Sequence, residues 1–173
     1  KLQLAVAGDQ AASRTTSVSA YDAYLQGREL LHRRKRVGSM DEAIEHFRRS
    51  LRLDGLFAPA HALLGIASAM STPSVQEARW KATPHLERAQ ELDPDLPEVY
   101  GGYALLDTYE NPESAVINAR KALSLNPNYA DALNWLSMAL QNLGRFGEAE
   151  DVLKRMMAID PMRPMAFYNH VGL

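Results

Sequence analysis

Apolar residues recur along this chain at spacings of three, four and seven, the period that places side chains on one face of an α-helix. Within 130–161, Leu133, Leu136, Ser137 and Leu140 form one stripe and Ala149, Leu153 and Met156 form a second. Gly144 stands between them, where a helix ends in left-handed backbone. The second stripe has three forerunners with the same four-and-seven spacing: Ala43/Phe47/Ser50, Ala82/Leu86/Ala89 and Ala115/Ala119/Ala122. Small residues at those places let a neighbouring helix approach closely.

The prolines punctuate the same pattern. Pro59, Pro73, Pro97, Pro112 and Pro164 each open a helical stretch, in the first turn where a missing N–H costs nothing. Pro94, Pro127 and Pro161 each follow one and stop it. The stops are periodic: 39 residues separate Gly55 from Pro94, 33 separate Pro94 from Pro127, and 34 separate Pro127 from Pro161. An alanine, at 43, 82, 115 and 149, stands twelve residues before each stop. Alternating β-branched runs and Asn-Gly turns are missing, so the fold class is all-α. Only Pro84 falls inside an apparent helix, which predicts a kink near 81–84 or a break with Thr83 capping a new start. The second unit also carries five surplus residues, expected in the turn between its helices. Ser39 with Glu42 has the spacing of a capping box at a helix start.

The unit at 130–161 resembles a tetratricopeptide repeat, the 34-residue helix–turn–helix motif, in its small residue eight places in, its alanine at place twenty and its proline at place thirty-two. Looser copies precede it: Tyr100, Tyr103 and Ala104 open one, Leu64-Gly65 marks another, and Tyr24, Gly27 and Leu31 mark the first. The resemblance implies a right-handed superhelical solenoid of antiparallel helix pairs, with repeats at about 20–55, 58–94, 97–127 and 130–161 and a half-repeat at 164–173. The repeat domain is expected over 19–173, and 1–18, with its short apolar stretch at 2–7, reads as a linker or the end of an upstream domain. The string at 19–34, the lengthened second unit and the junction at 126–133 also resemble the repeat region of some bacterial adenylate cyclases and winged-helix transcriptional regulators. That resemblance implies an interaction or sensing module of a cytoplasmic bacterial regulator in signalling or transcription regulation. No cyclase segment or winged helix is present in the sequence itself.

The resemblance also implies a binding surface, the concave face lined by the first helix of each pair at places two, five, nine and twelve. By that register the second unit contributes Ala62, Ile66 and Ala69. The third contributes Glu98, Gly101, Leu105 and Thr108, and the fourth Asp131, Asn134, Met138 and Gln141 with Trp135 on the rim. The expected occupant is a protein or peptide segment. Glu98 and Asp131 favour one with lysine or arginine beside its apolar anchors. The lysine–asparagine–arginine set by which chaperone-binding relatives clamp a C-terminal carboxylate is replaced here by Ala62 and Ile66, Gly102, and Asp131 and Trp135. A second reading is self-association, a homodimer formed through the final half-unit by Met165, Phe167, Tyr168 and Val171.

Composition narrows the rest. The chain has 173 residues, 46% apolar and 23% charged, and a net charge of −2, which gives no general attraction to polyanions. The charge is uneven: ten basic and seven acidic residues in 1–54 make +3, and nine and fourteen in 55–173 make −5. The basic run from His32 to Arg36, within 28–36, keeps nucleic-acid or other anionic contact as a minor reading, although such runs commonly solvate a helix end. With no cysteine, disulfides and thiolate metal sites are excluded. The weakly polar run at 58–70 is too short to cross a bilayer. The chain opens at Lys1 without a basic-then-apolar leader and is expected to be a piece of something longer.

Catalytic patterns do not emerge. His32, His46, His61, His85 and His170 form no HExxH pair, and no phosphate loop, GxSxG elbow or catalytic triad is visible. Glu42 and His46 are four apart on one helix and read as surface residues. Gly101-Gly102 reads as a close helix contact. The expectation is a non-enzyme with no cofactor and no metal.

Overall fold

The structure, a computed structural model, describes residues 15–33 and 39–159. Among them are eight helices and no strand: α1 (Val18–Arg33), α2 (Ser39–Leu53), α3 (Ala58–Met70), α4 (Val75–Leu92), α5 (Pro97–Asp107), α6 (Pro112–Leu125), α7 (Ala130–Asn142) and α8 (Phe146–Ile159). They pack as consecutive pairs, α1 with α2 through α7 with α8, and the second helix of each pair packs against the first of the next. The result is a helical-repeat solenoid. No helix among the described residues is long and apolar enough to cross a membrane.

Each boundary has a local cause. Pro59, Pro97 and Pro112 sit in the first turns of α3, α5 and α6. Asp93 and Asn126, each followed by proline, are extended with φ of −150° and −136°, because the proline ring crowds a helical residue before it. Gly144 closes α7 with φ of 71°. The four alanines that precede the stops, Ala43, Ala82, Ala115 and Ala149, are buried at the seams between paired helices. Opposite Ala82, a β-carbon on Gly65 would stand 3.1 Å from the Ala82 carbonyl oxygen, so α3 and α4 touch nearly backbone to backbone. Buried Ser50 donates to the Ala20 carbonyl at 2.8 Å, which satisfies its hydroxyl across α1 and α2.

The second unit departs from expectation, first at Pro73, which stands two residues before α4 and not in its first turn. Its surplus residues lengthen α4, which has 18 residues against 15 in α2 and 14 in α6 and α8. Ser74 starts that helix by accepting from the Glu77 amide, and Glu77 accepts from the Thr72 hydroxyl and pairs with Lys81 at 2.6 Å. The Ser74-x-x-Glu77 spacing was available in the sequence as a start signal. Nor does Thr83 begin a new helix, since α4 runs through Pro84. Pro84 is exposed, while Ala78, Ala82, Leu86 and Ala89 bury the opposite face. An interior proline costs about 3 kcal/mol. Burial of Leu86 alone returns roughly 1.5–3 kcal/mol, and three alanines add to it.

Several expected features lie outside the described residues: most of the linker at 1–18, the stop at Pro161, the half-unit at 164–173 with Met165, Phe167, Tyr168 and Val171, and Arg34, Lys35 and Arg36 of the basic run.

Candidate partner-binding groove

The first helices of the pairs make the inner layer. α1 touches α3, α3 touches α5, and α5 touches α7. Two glycines give their register. A β-carbon on Gly27 would meet the Phe47 ring at 2.8 Å, and one on Gly65 would meet Leu86 at 3.2 Å, so each faces the same place on its partner helix. Ala104 and Ser137, fully buried, take the corresponding places on α5 and α7. The next residue on each helix therefore belongs to one row: Arg28, Ile66, Leu105 and Met138. Arg28 is absent from the groove expected on sequence grounds, although Gly27 one place earlier signals it. Its guanidinium lies over the Tyr24 ring, 5.6 Å from the centroid.

The row is not uniformly open. Ile66 is 1% exposed and belongs to the main core, whereas Leu105 and Met138 are half-buried. The difference follows from the surroundings of α3, where every residue from Ala62 to Ala69 is buried. Ala62 packs with Ala58, Ala89, Leu96 and Val99, and Ala69 with Ala78, Ala82, Leu86 and Leu106. Thr108 is 1% exposed and holds the frame, its hydroxyl donating to the Ala104 carbonyl at 2.7 Å while its carbonyl accepts from Asn142 at 2.8 Å. Trp135, expected on the rim, is buried edge-on against Tyr129, with ring centroids 6.0 Å apart. Asp131 is buried as well. Accessible surface remains at Glu98, Leu105, Asn134, Met138 and Gln141, on α5 and α7. There the Asn134 amide donates to Met138 Sδ at 3.6 Å, and its Oδ1 is buried with no hydrogen-bond donor among the described residues.

One assembly has no counterpart in the sequence pattern. His61 of α3 and His85 of α4, 24 positions apart, bring their Nδ1 atoms to 3.4 Å. No sequence spacing announces such a pair, because it depends on how α3 crosses α4. No group of three or more histidine and carboxylate residues that could hold a metal occurs among the described residues.

Residues 109–167 match the family model described as tetratricopeptide repeat. No curated protein matches the chain. Similar solved structures include the MamA protein, 22% identical over 84% of this chain and 75% of that one, with a TM-score of 0.52. A thermophilic tetratricopeptide protein from Thermus thermophilus is 14% identical over 88% of this chain and 80% of its own, with a TM-score of 0.66. A mutant O-GlcNAc transferase from Thermobaculum terrenum is 20% identical over 77% of this chain but only 23% of its own length, with a TM-score of 0.55. At these identities the likeness is one of fold.

Proposed function

We propose that this chain is a non-catalytic interaction module that binds a protein segment along its inner helices, within a larger, cytoplasmic, bacterial regulator. Tetratricopeptide repeats generally serve as protein-interaction modules, and stacked repeats present a continuous inner surface for an extended partner. The observation that carries the reading is the half-exposed apolar pair Leu105 and Met138 at equivalent places on α5 and α7, beside the polar atoms of Asn134 and Gln141. A buried acceptor without a donor costs on the order of 1–3 kcal/mol. With its side chain turned outward, Asn134 would present Oδ1 to a partner N–H and recover that cost. Glu98 at the edge of this surface favours a basic residue beside the apolar anchors, and Arg28 at the other end of the row favours an acidic one.

Residues 19–173 form one repeat domain in this reading, preceded by a linker. The resemblance of 19–34 and 126–133 to the repeat regions of adenylate cyclases and winged-helix regulators supports placing it in a multidomain regulator.

A displayed library of random peptides tests the groove. Peptides selected on the chain should carry apolar anchors with a neighbouring lysine or arginine, and Met138→Lys should lose them while keeping its helix content. Selected peptides that bind Met138→Lys and Leu105→Lys as well as the parent chain would overturn the proposal.

A further inference from the structure

The His61–His85 pair lies apart from the groove and uses none of its residues. Nε2 of His61 is 3.1 Å from the carbonyl oxygen of Gly55, in the turn between α2 and α3. A carbonyl only accepts, so Nε2 carries the hydrogen, and the neutral ring keeps its lone pair on Nδ1. His85 must then present Nδ1–H to that lone pair across 3.4 Å, which leaves its own Nε2 bare. The contacts form a directed chain from α4 through α3 to the α2–α3 turn, across the junction of the first and second helix pairs.

We propose that His61 and His85 are an acid-sensitive latch between α3 and α4: neutral, they join the two helices through the bond between their rings, and doubly protonated they release it while His61 Nε2–H keeps the Gly55 carbonyl. The first proton enters at His85 Nε2 and leaves the bond between the rings intact. The second must enter at His61 Nδ1, the accepting atom itself. It abolishes the bond and sets two N–H groups and two cations against each other.

The surroundings oppose both protons. Burial holds the His61 imidazole below its ordinary range; the Gly55 hydrogen bond works against that, and Arg88 adds to it. Burial likewise lowers His85, helped by the charge of His61 and by Arg48. The charges facing the pair from α2 and α4 are thus cationic. Arg48 pairs with Glu45 at 2.7 Å and Arg88 with Glu91 at 2.8 Å. In the turn, the Asp54 carboxylate is occupied by the Thr15 hydroxyl and the Leu56 amide. Neither ring has a carboxylate partner among the described residues. The same cations that repel a proton also disfavour a metal ion between the rings.

The sign follows from linkage. Both groups bind protons more weakly in the folded chain than in the unfolded one, whose imidazoles titrate near the ordinary value of about 6.5. Stability is full above that value and falls as pH drops from there toward the lowered folded-state values. Melting the chain between pH 7.5 and 5.0 should show a fall that is smaller in His61→Gln/His85→Gln by roughly 2–4 °C. An equal fall in the double variant would overturn the latch. If the double variant fails to fold, an NMR titration of the imidazoles in the intact chain decides. His61 and His85 should titrate below ordinary histidine, and ordinary titration of both would reject the proposal.

Discussion

Gly101 of α5 lies against the indole of Trp135 on α7, so closely that a β-carbon on it would stand 2.8 Å from Cζ3 of the ring. Tyr129 closes the same space from the turn before α7, at 2.7 Å from that position. The glycine lets two inner helices approach, and the approach buries the tryptophan.

Gly101→Ala sets two effects against each other. Alanine gains up to about 1 kcal/mol of helix propensity. Overpacking against two locked rings costs roughly 1–3 kcal/mol, and the cost should win. Gly147, near the start of α8, has nothing within 4 Å of the place a β-carbon would take and should show the gain alone. Urea unfolding should therefore find Gly101→Ala less stable than the parent and Gly147→Ala slightly more stable. A stabilised Gly101→Ala would mean that α5 and α7 pack less closely than described.

Ile66 and Met138 occupy equivalent places with different burial. Placing an ammonium at Ile66 strands a charge in the core and should cost about 3 kcal/mol or more. Met138→Lys can turn its amine to water and should cost under about 1 kcal/mol. Circular-dichroism melts of the two variants should separate clearly. Collapse of both would place Met138 in the core and remove it from the proposed groove.

Arg79 ties α4 to the last turn of α5. Its guanidinium reaches Asp107 at 2.9 Å and the Leu106 carbonyl at 3.1 Å, and Asp107 also accepts from the Ser114 hydroxyl at 2.6 Å. Asp107 is largely enclosed, so Asp107→Ala should cost on the order of 1–2 kcal/mol. Exposed Glu110, at 3.4 Å from the same guanidinium, should contribute within about 0.5 kcal/mol. Denaturant midpoints for Asp107→Ala and Glu110→Ala check the order, and equal losses would refute it.

The two tryptophans offer an optical check. Trp135 is 2% exposed and Trp80 is 77% exposed. Trp80→Phe should leave blue-shifted emission resistant to iodide, and Trp135→Phe should leave red-shifted emission that iodide quenches. Similar quenching in both variants would contradict the burial of Trp135.

The periodic frame is legible in local residues alone. Pro59, Pro97 and Pro112 opened helices where their rings belong, Gly144 took the left-handed turn, and the alanines at 43, 82, 115 and 149 marked the seams, because each of these acts on its own few residues of backbone. The start of α4 was also written there, in Ser74 and Glu77, although the surplus residues read more simply as a longer turn. Tertiary structure decided what local rules do not carry. Pro84 stayed inside α4 because the buried face of that helix outweighs one lost hydrogen bond. Ile66 went under while Met138 stayed half-exposed, since register sets which way a side chain faces and the neighbouring helices set how deeply it is covered. His61 met His85 for the same reason: 24 residues apart along the chain, they become neighbours only where α3 and α4 cross.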